Sequence, residues 1–297
     1  MTVETVVPTR NNLAELKACL AALTAQTVAP GVIHVCVDGS TDGTLEWLAA
    51  SAPPVAVVHT HAGNAHGGRA RTRNLGLRAA QSEHVLLLDS DMVASPSLIE
   101  RHLAVVRPGI VSVGAVVYQN RAENPWAGYL ATRSRNRYAD GAALPFRHFA
   151  TANAMLAAED ARSIGGFDEA FQGYGGEDLE FAFRLERAGV RFTNTPKAIA
   201  ETVEPKTIDQ ALAEFERYGA TNLHLMHRLH PDVPLGFLVE RIGSRNLRDR
   251  LFLGLMNPLT DAAAGIATRL GPPGVRNRAL NYRVVRAVHR GYRQPAA

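Results

Sequence analysis

The chain has 297 residues, of which 46% are hydrophobic and 20% charged, with a net charge of +4 and two cysteines. That is globular composition, large enough for one substantial core plus an accessory part, and it excludes a disulfide scaffold. No stretch approaches the roughly 18 consecutive apolar residues of a membrane span, and the amino terminus lacks the basic and apolar regions of a secretory signal, so the sequence predicts a cytoplasmic protein, at most peripheral at the inner face of a membrane.

The first third alternates between two periodicities. Residues 5–8 read as a short strand ending in Pro8-Thr9-Arg10-Asn11-Asn12, where an asparagine can cap a helix carrying Leu13, Leu16, Leu20 and Leu23. After the break at Ala29-Pro30-Gly31, residues 32–37 form a second buried strand that stops at Asp38-Gly39-Ser40-Thr41-Asp42-Gly43. A helix begins at Thr44, residues 55–58 give a third strand, and a glycine-rich loop from Gly63 to Gly68 feeds a helix over 69–80. Val85-Leu86-Leu87-Leu88 then reads as a strand buried on both faces, stopping at Asp89-Ser90-Asp91. Strands alternating with helices over short connections predict an α/β fold, with a mostly parallel sheet flanked by helices.

The later pattern is less regular. A helix is expected over 97–106 and a strand over 110–118, followed by a long loop with some helix over 119–147. Helices over 157–164 and 177–188 follow, the second closed by Gly189, then a strand over 190–194. Past residue 205 the chain reads as helical. Ile208, Leu212, Phe215, Leu225 and Leu229 suit one long amphipathic helix, with later breaks at Pro258 and Gly271-Pro272-Pro273-Gly274. These shifts predict an α/β domain over 1–204 and a basic helical extension over 205–297. From Gly236 onward there are eleven arginines against three acids. By charge alone the excess suits an anionic membrane surface, lipid phosphate or nucleic acid, or else a solvated face of basic helices, or a tail that packs on the core or mediates a homodimer. No nucleic-acid partner is expected.

Several constellations carry chemistry. Asp89 and Asp91 are spaced i, i+2, so on extended backbone both carboxylates project to one side at a strand's carboxyl end, where open α/β sheets bind ligands. They could hold Mg²⁺ or Mn²⁺ against a phosphate, or simply cap an Asx turn. Asp38 could accept hydrogen bonds from a base or ribose, or serve its own turn. The loop before Arg69, Arg71 and Arg73 could cradle a diphosphate, or those arginines could line an exposed helix. G-x-x-x-x-G-K-[ST] and G-x-G-x-x-G are both absent, which disfavours a P-loop ATPase and a nicotinamide dehydrogenase. Glu177 and Asp178 follow Gly173-Tyr174-Gly175-Gly176; acids there suit the helix macrodipole or present a general base. His59, His61 and His66 lack supporting ligands for zinc. His224, His227 and His230 read as surface or acceptor-side residues.

In this order the motifs resemble those of the family 2 glycosyltransferases, which have the GT-A fold and use nucleotide sugars. The matching stretches are residues 7–12, 37–44, 68–76, 87–91, 165–169 and 175–178. The resemblance implies that Pro8, Thr9, Arg10 and Asp38 meet the nucleoside and that Arg69 and Arg73 line the diphosphate side. Asp89 and Ser90 would face the ribose or sugar, and Asp91 would hold a divalent metal. Asp178 would be the base, with Glu177 ordering the acceptor. Many relatives place a metal-binding histidine after the last core strand; here there is none, and Glu201 or a water would take that place. The implied reaction is inverting, metal-assisted single displacement from a UDP-, GDP- or dTDP-sugar to a saccharide, lipid-linked or small-molecule acceptor. The alternatives are a catalytically silent sugar-nucleotide-binding or assembly subunit, or a pyrophosphorylase-like nucleotidyltransferase, whose amino-terminal glycine-rich loop is missing.

Overall fold

The apolar strands and their helices lay down the first half of the molecule in chain order. The computed structural model describes residues 2–133, 138–236, 239–244 and 246–294. Strand β1 (Val3–Thr9), helix α1 (Leu13–Thr24), β2 (Val32–Val37), α2 (Thr44–Ser51), β3 (Ala56–Thr60), α3 (Arg69–Ala79) and β4 (His84–Leu88) alternate as expected. β3, β2, β1 and β4 lie side by side in that order, all parallel. The apolar run of β4 is wholly buried, as a strand covered on both faces must be. One core face packs Leu16, Leu20 and Leu23 of α1 against Ile33, Val35, Leu86 and Leu88. On α3, Gly76 permits close approach to the sheet: a Cβ there would stand 2.7 Å from a Val6 methyl and 3.1 Å from Cys36 Sγ. Cys19 and Cys36 are both free and buried.

Beyond β4 come β5 (Val93–Ala94), α4 (Leu98–Leu103), β6 (Ile110–Tyr118), α5 (Pro125–Thr132), β7 (Ala143–Leu144), β8 (Asn153–Ala157), α6 (Ala158–Ser163), α7 (Glu177–Arg187) and β9 (Arg191–Thr202). β8 runs antiparallel between β4 and β6, β6 and β9 are parallel, and β5 and β7 flank β9 antiparallel. The nine-stranded sheet among the described residues is thus parallel in its first half and mixed in its second. Strand β9 continues well past residue 194. Pro196 sits where the register on β6 jumps from Thr195 to Ile199, and a bulge tolerates proline. The segment 119–147, expected as loop with some helix, holds α5, β7 and a 3₁₀ turn at Phe146–His148. Its residues 134–137 lie outside the described residues.

Register brings four loop ends to one edge. Thr9 pairs with Val37, and the Asp38 amide donates to the Thr9 carbonyl at 2.9 Å. Val6 pairs with Leu87, and Leu88 pairs with Asn153 on β8. Thr9, Asp38, Asp89 and the residues just before Asn153 therefore share the carboxyl edge of the parallel strands.

The chain divides into two compact units: Met1–Asn120, Ala131–Gln172 and Glu177–Glu204 form the first, and Arg121–Leu130, Gly173–Gly176 and Pro205–Ala297 the second. In the second unit the expected single helix over 208–229 is two, α8 (Ile208–Ala220) and α9 (Asn222–Leu229). Thr221 breaks it with φ −126° and ψ −85°, its hydroxyl bonding back to the Arg217 carbonyl at 2.8 Å. Both halves are amphipathic, so apolar spacing alone runs through the break. α10 (Leu247–Gly254), α11 (Pro258–Leu270) and α12 (Pro273–Tyr292) complete the unit. Trp126 and Tyr129 of α5 join Ala211, Leu212, Leu280 and Val284 in its core. α8 and α12 cross at paired glycines: a Cβ on Gly219 would strike the Val288 carbonyl, and one on Gly291 the Glu216 carbonyl. His224 stacks on Tyr292 at 3.9 Å and His227 meets the same ring edge-on. Both pack α9 on α12, which corrects the expectation that they face solvent or an acceptor.

Candidate active site

At the end of β4 the backbone turns instead of staying extended: the Met92 amide donates to the Asp89 carbonyl at 3.1 Å. The expected same-side projection of Asp89 and Asp91 is therefore not what forms. Asp89 turns to Arg73, Ser90 is buried and accepts from Asn12 Nδ2 at 2.7 Å, and Asp91 is exposed.

Arg73 is the hub of this edge. It lies on α3 with 4% of its surface exposed. Its Nη2 is 2.9 Å from Asp89 Oδ1, and its Nη1 is 3.2 Å from Glu177 Oε1 and 3.5 Å from Asp178 Oδ1. Burial alone would lower the guanidinium pKa; the three carboxylates, Asp89 foremost, outweigh it and hold the pKa above its ordinary value. A residue expected on the diphosphate side thus has its guanidinium inside a carboxylate cluster. Arg69, at the start of the same helix, is exposed.

Glu177 and Asp178 open α7, where the macrodipole favours acids. Thr151 holds Asp178 from the other side. Its amide donates to Oδ2 at 3.2 Å and its hydroxyl lies 3.0 Å from Oδ2 and 3.1 Å from Oδ1. The Asp178 side chain stays 30% exposed. Burial pushes its pKa up to about 6; Glu177 and Asp89 add to the rise, while Arg73 and the Thr151 amide oppose it.

The Gly165-to-Glu169 stretch positions this cluster. Asn74 of α3 exchanges two bonds with Phe167, each 2.9 Å, and donates to Glu169 at 2.9 Å. Arg184 of α7 donates to the Ile164 and Gly166 carbonyls at 2.6 and 2.7 Å and pairs with Glu180. The loop therefore ties α3 to α7, the helices that carry Arg73 and Asp178.

A second cluster lies at the ends of β1 and β2. Asp38, 6% exposed, accepts from the Gly67 and Gly68 amides at 2.5 and 3.3 Å and pairs with His66 Nδ1 at 2.8 Å. His66 Nε2 lies 3.2 Å from exposed Arg10 Nη1. Thr9 is buried and bonds Asn12 Oδ1 at 2.5 Å, while Pro8 is half-buried. The glycine-rich loop thus folds over the end of β2, gathering Thr9, Arg10, Asp38 and His66. His61 joins from below, 3.7 Å from Asp38. His59 instead bonds His34 at 2.9 Å, which in turn bonds Glu4. Sequence reasoning weighed His66 only as a zinc ligand lacking a nearby carboxylate, whereas the fold brings Asp38 to it; it missed Thr151, which nothing in the local pattern marked.

Glu201 lies on β9 opposite Val93, two residues beyond Asp91, and accepts from Gln119 Nε2 at 2.7 Å. Among the described residues, no three His, Cys, Asp or Glu side chains are gathered as a ready metal cluster.

Comparison with known proteins follows the same edge. The profile of the family described as "Glycosyltransferase like family 2" matches residues 2–220. Chondroitin synthase of Escherichia coli is 27% identical over 235 residues, 67% of this chain and 34% of that protein. Validoxylamine A glucosyltransferase of Streptomyces hygroscopicus subsp. limoneus is 29% identical over 219 residues, 63% of this chain and 48% of that protein. The chain thus spans about a third to a half of the length of these curated relatives. Among solved structures, a mannosyltransferase from Pyrobaculum calidifontis in complex with GDP-Man and Mn²⁺ superposes with a TM-score of 0.59 at 19% identity, covering 97% of this chain and 86% of that one. The likeness shows a shared GT-A-type fold. Because the family match takes in every strand of the sheet and both side-chain clusters at its carboxyl edge, the chain belongs to glycosyltransferase family 2.

Proposed function

We propose that the chain transfers a sugar from a nucleoside diphosphate sugar to an acceptor hydroxyl by single displacement with inversion, Asp178 acting as general base. The observation that carries this reading is the setting of Asp178: a part-exposed carboxylate, held by Thr151 and Arg73, with its pKa pushed up to about 6. An acceptor hydroxyl is a poor nucleophile at neutral pH. A carboxylate still ionised near pH 7, yet more basic than usual, is suited to take its proton. The acceptor oxygen forms its bond to the anomeric carbon as its proton passes to Asp178. The bond to the leaving diphosphate breaks with its electron pair, and attack from the opposite side inverts the centre.

The remaining residues fall into place around that step. Thr9, Arg10 and Asp38 suit the nucleoside, with Pro8 shaping the strand end. Exposed Arg69 and Arg71 offer charge to the diphosphate. Asp89 and Ser90 lie toward the ribose or sugar. Arg73 fixes Asp178, and Glu177, held by the same guanidinium, orders the acceptor. A divalent cation fits the donor set here: Asp91 offers an exposed carboxylate, Glu201 stands across from the strand that follows it, and such ions often need only one or two carboxylates beside substrate phosphates and water. When bound, Mn²⁺ or Mg²⁺ supplies positive charge that offsets the charge of the leaving diphosphate. The GDP-Man and Mn²⁺ held by the Pyrobaculum enzyme support both the donor class and the ion.

A screen of UDP-, GDP- and dTDP-sugars with Mn²⁺ tests the proposal by release of nucleoside diphosphate. Turnover of one donor, lost in Asp178→Asn, is the expected result. Donor binding with no nucleoside diphosphate released under any acceptor would instead identify a silent binding subunit.

A further inference from the structure

Helix α11 packs on α12 through the side that carries buried Ala264 and Thr268. Its opposite side is also apolar. Leu259, Ile266 and Leu270 recur at i, i+7 and i+11, within roughly 40° of arc at about 100° per residue, and are 82%, 61% and 82% exposed. On α10 and at its end, Leu247, Leu251 and Leu255 form a second row at i, i+4, i+8, all more than half exposed. A helix facing water turns polar residues outward, and contiguous exposed aliphatic side chains mark an interaction surface.

The surroundings of these rows are basic. Arg248, Arg250, Arg269 and Arg278 are exposed on the same helices and the start of α12. The acids of the segment are already engaged: Asp249 pairs with Arg241 at 3.1 Å and Asp261 with Arg286 at 2.8 Å. A cavity of about 430 Å³ opens beside the α10–α11 turn, lined by Met256 and Pro258 on one side and Arg286, Arg290 and Arg293 on the other. No helix among the described residues is long and apolar enough to cross a membrane. A second copy docked face to face would bring like arginines together, because a twofold interface matches each patch with itself. An anionic bilayer satisfies both features, with acyl chains for the leucines and phosphates for the arginines.

We propose that α10 and α11 lie in the interface of an anionic bilayer, with Leu247, Leu251, Leu255, Leu259, Ile266 and Leu270 inserted and the arginine-lined cavity taking a lipid headgroup phosphate. The attachment is independent of the donor reading, since it uses no residue of the sheet edge. It is tested by sedimenting the full chain with vesicles of phosphatidylcholine alone or with about 30% phosphatidylglycerol. Expected are pelleting with the anionic vesicles at low salt and a partition coefficient that drops about tenfold or more both in high salt and in Leu259→Ser/Leu270→Ser. Arg293→Gln lowers it several-fold. Circular dichroism of the leucine variant, whose changes are on the surface, should match the parent. A full chain that stays in the supernatant with both vesicle types at low salt overturns the proposal. So does a leucine variant that binds as well as the parent, or a dimer that the leucine changes dissolve in the absence of vesicle binding.

Discussion

Thr151 grips Asp178 twice, with its amide 3.2 Å from Oδ2 and its hydroxyl 3.0 Å from the same oxygen. Donors aimed at a carboxylate favour its ionised form, whereas burial and the neighbouring Glu177 and Asp89 favour the neutral one. The balance falls to the neutral side, with a pKa of about 6. Below that pH Asp178 carries its proton and cannot accept another. We therefore expect kcat/KM for transfer to rise tenfold per pH unit up to about 6 and then level. Asp178→Asn should lower kcat by about a hundred- to ten-thousand-fold. Its effect on stability has the opposite sign. A carboxyl whose folded pKa lies above its unfolded value costs stability increasingly as pH rises from the unfolded to the folded value; the cost is complete above the latter and vanishes below the former. The asparagine variant should thus melt no lower than the parent at pH 8, which separates loss of the base from loss of the fold. A pH-independent rate between 5 and 8 would remove Asp178 from the role.

Thr151→Val keeps the amide bond to Asp178 and deletes the hydroxyl bond. The acid limb of the pH profile should move upward, because one donor to the ionised form is gone. Transfer at pH 8 should then recover most of what is lost at pH 6. Equal loss at both pH values would point to displaced packing rather than to the titration of Asp178.

Arg73 is one buried cation facing three carboxylates, so its removal leaves charges with no partner. Breaking a buried pair by deleting one member typically costs about 3–5 kcal/mol. Arg73→Met should show a loss of this order in urea unfolding at pH 8. The loss should shrink at pH 5, where protonation of Asp178 removes one of the charges left without a partner. Arg73→Lys keeps the charge but cannot fork between Asp89 and the α7 acids, and should fall between the two. An Arg73→Met variant as stable as the parent at pH 8 would contradict the hub role.

Where the chain follows simple periodicity, its fold was legible beforehand. Residues 32–37 and 110–118 are strands over those spans, because short apolar runs bounded by turn residues leave little choice. Sequence also marked Asp38, Asp89, Glu177 and Asp178, since acids at strand and helix ends are conspicuous. It could not show how they divide. The turn at Asp89 sends one carboxylate to Arg73 and leaves Asp91 outside, a result of a backbone bond to Met92 that no spacing rule reports. Arg73 read as a diphosphate ligand or one of three arginines on an exposed helix; only the packing of α3 shows that it points inward to three carboxylates. Thr151 acts from before β8, a strand that enters antiparallel after a long excursion, and such long-range pairing leaves no local signature. The break at Thr221 was hidden because both flanking helices are amphipathic.

Gly76 sets the distance between α3 and the sheet. A Cβ there would lie 2.7 and 2.8 Å from the two Val6 methyls. Overpacking of this kind costs about 1–3 kcal/mol. Gly76→Ala should lower the unfolding midpoint by that amount and reduce transfer as well, because α3 carries Arg73 and would be pushed off β1. Gly76→Ala combined with Val6→Ala should restore part of the stability. No recovery in the double variant would mean that Val6 is not the contact that matters.

Asp91 is exposed, whereas Asp89, Glu177 and Asp178 are committed to Arg73. If it helps hold a divalent ion on the donor's diphosphate, its contribution exists only when that ion is present. In calorimetry, Asp91→Ala should weaken donor binding about tenfold or more with Mn²⁺ and leave it unchanged in excess chelator. Chelator should abolish transfer by the parent, and added Mn²⁺ or Mg²⁺ should restore it. Glu201→Gln tests the second oxygen. Because Glu201 already accepts a bond from Gln119, its loss should have the smaller effect. Equal donor affinity in parent and Asp91→Ala with Mn²⁺ present would take the ion away from Asp91, and full activity in chelator would take it out of the reaction.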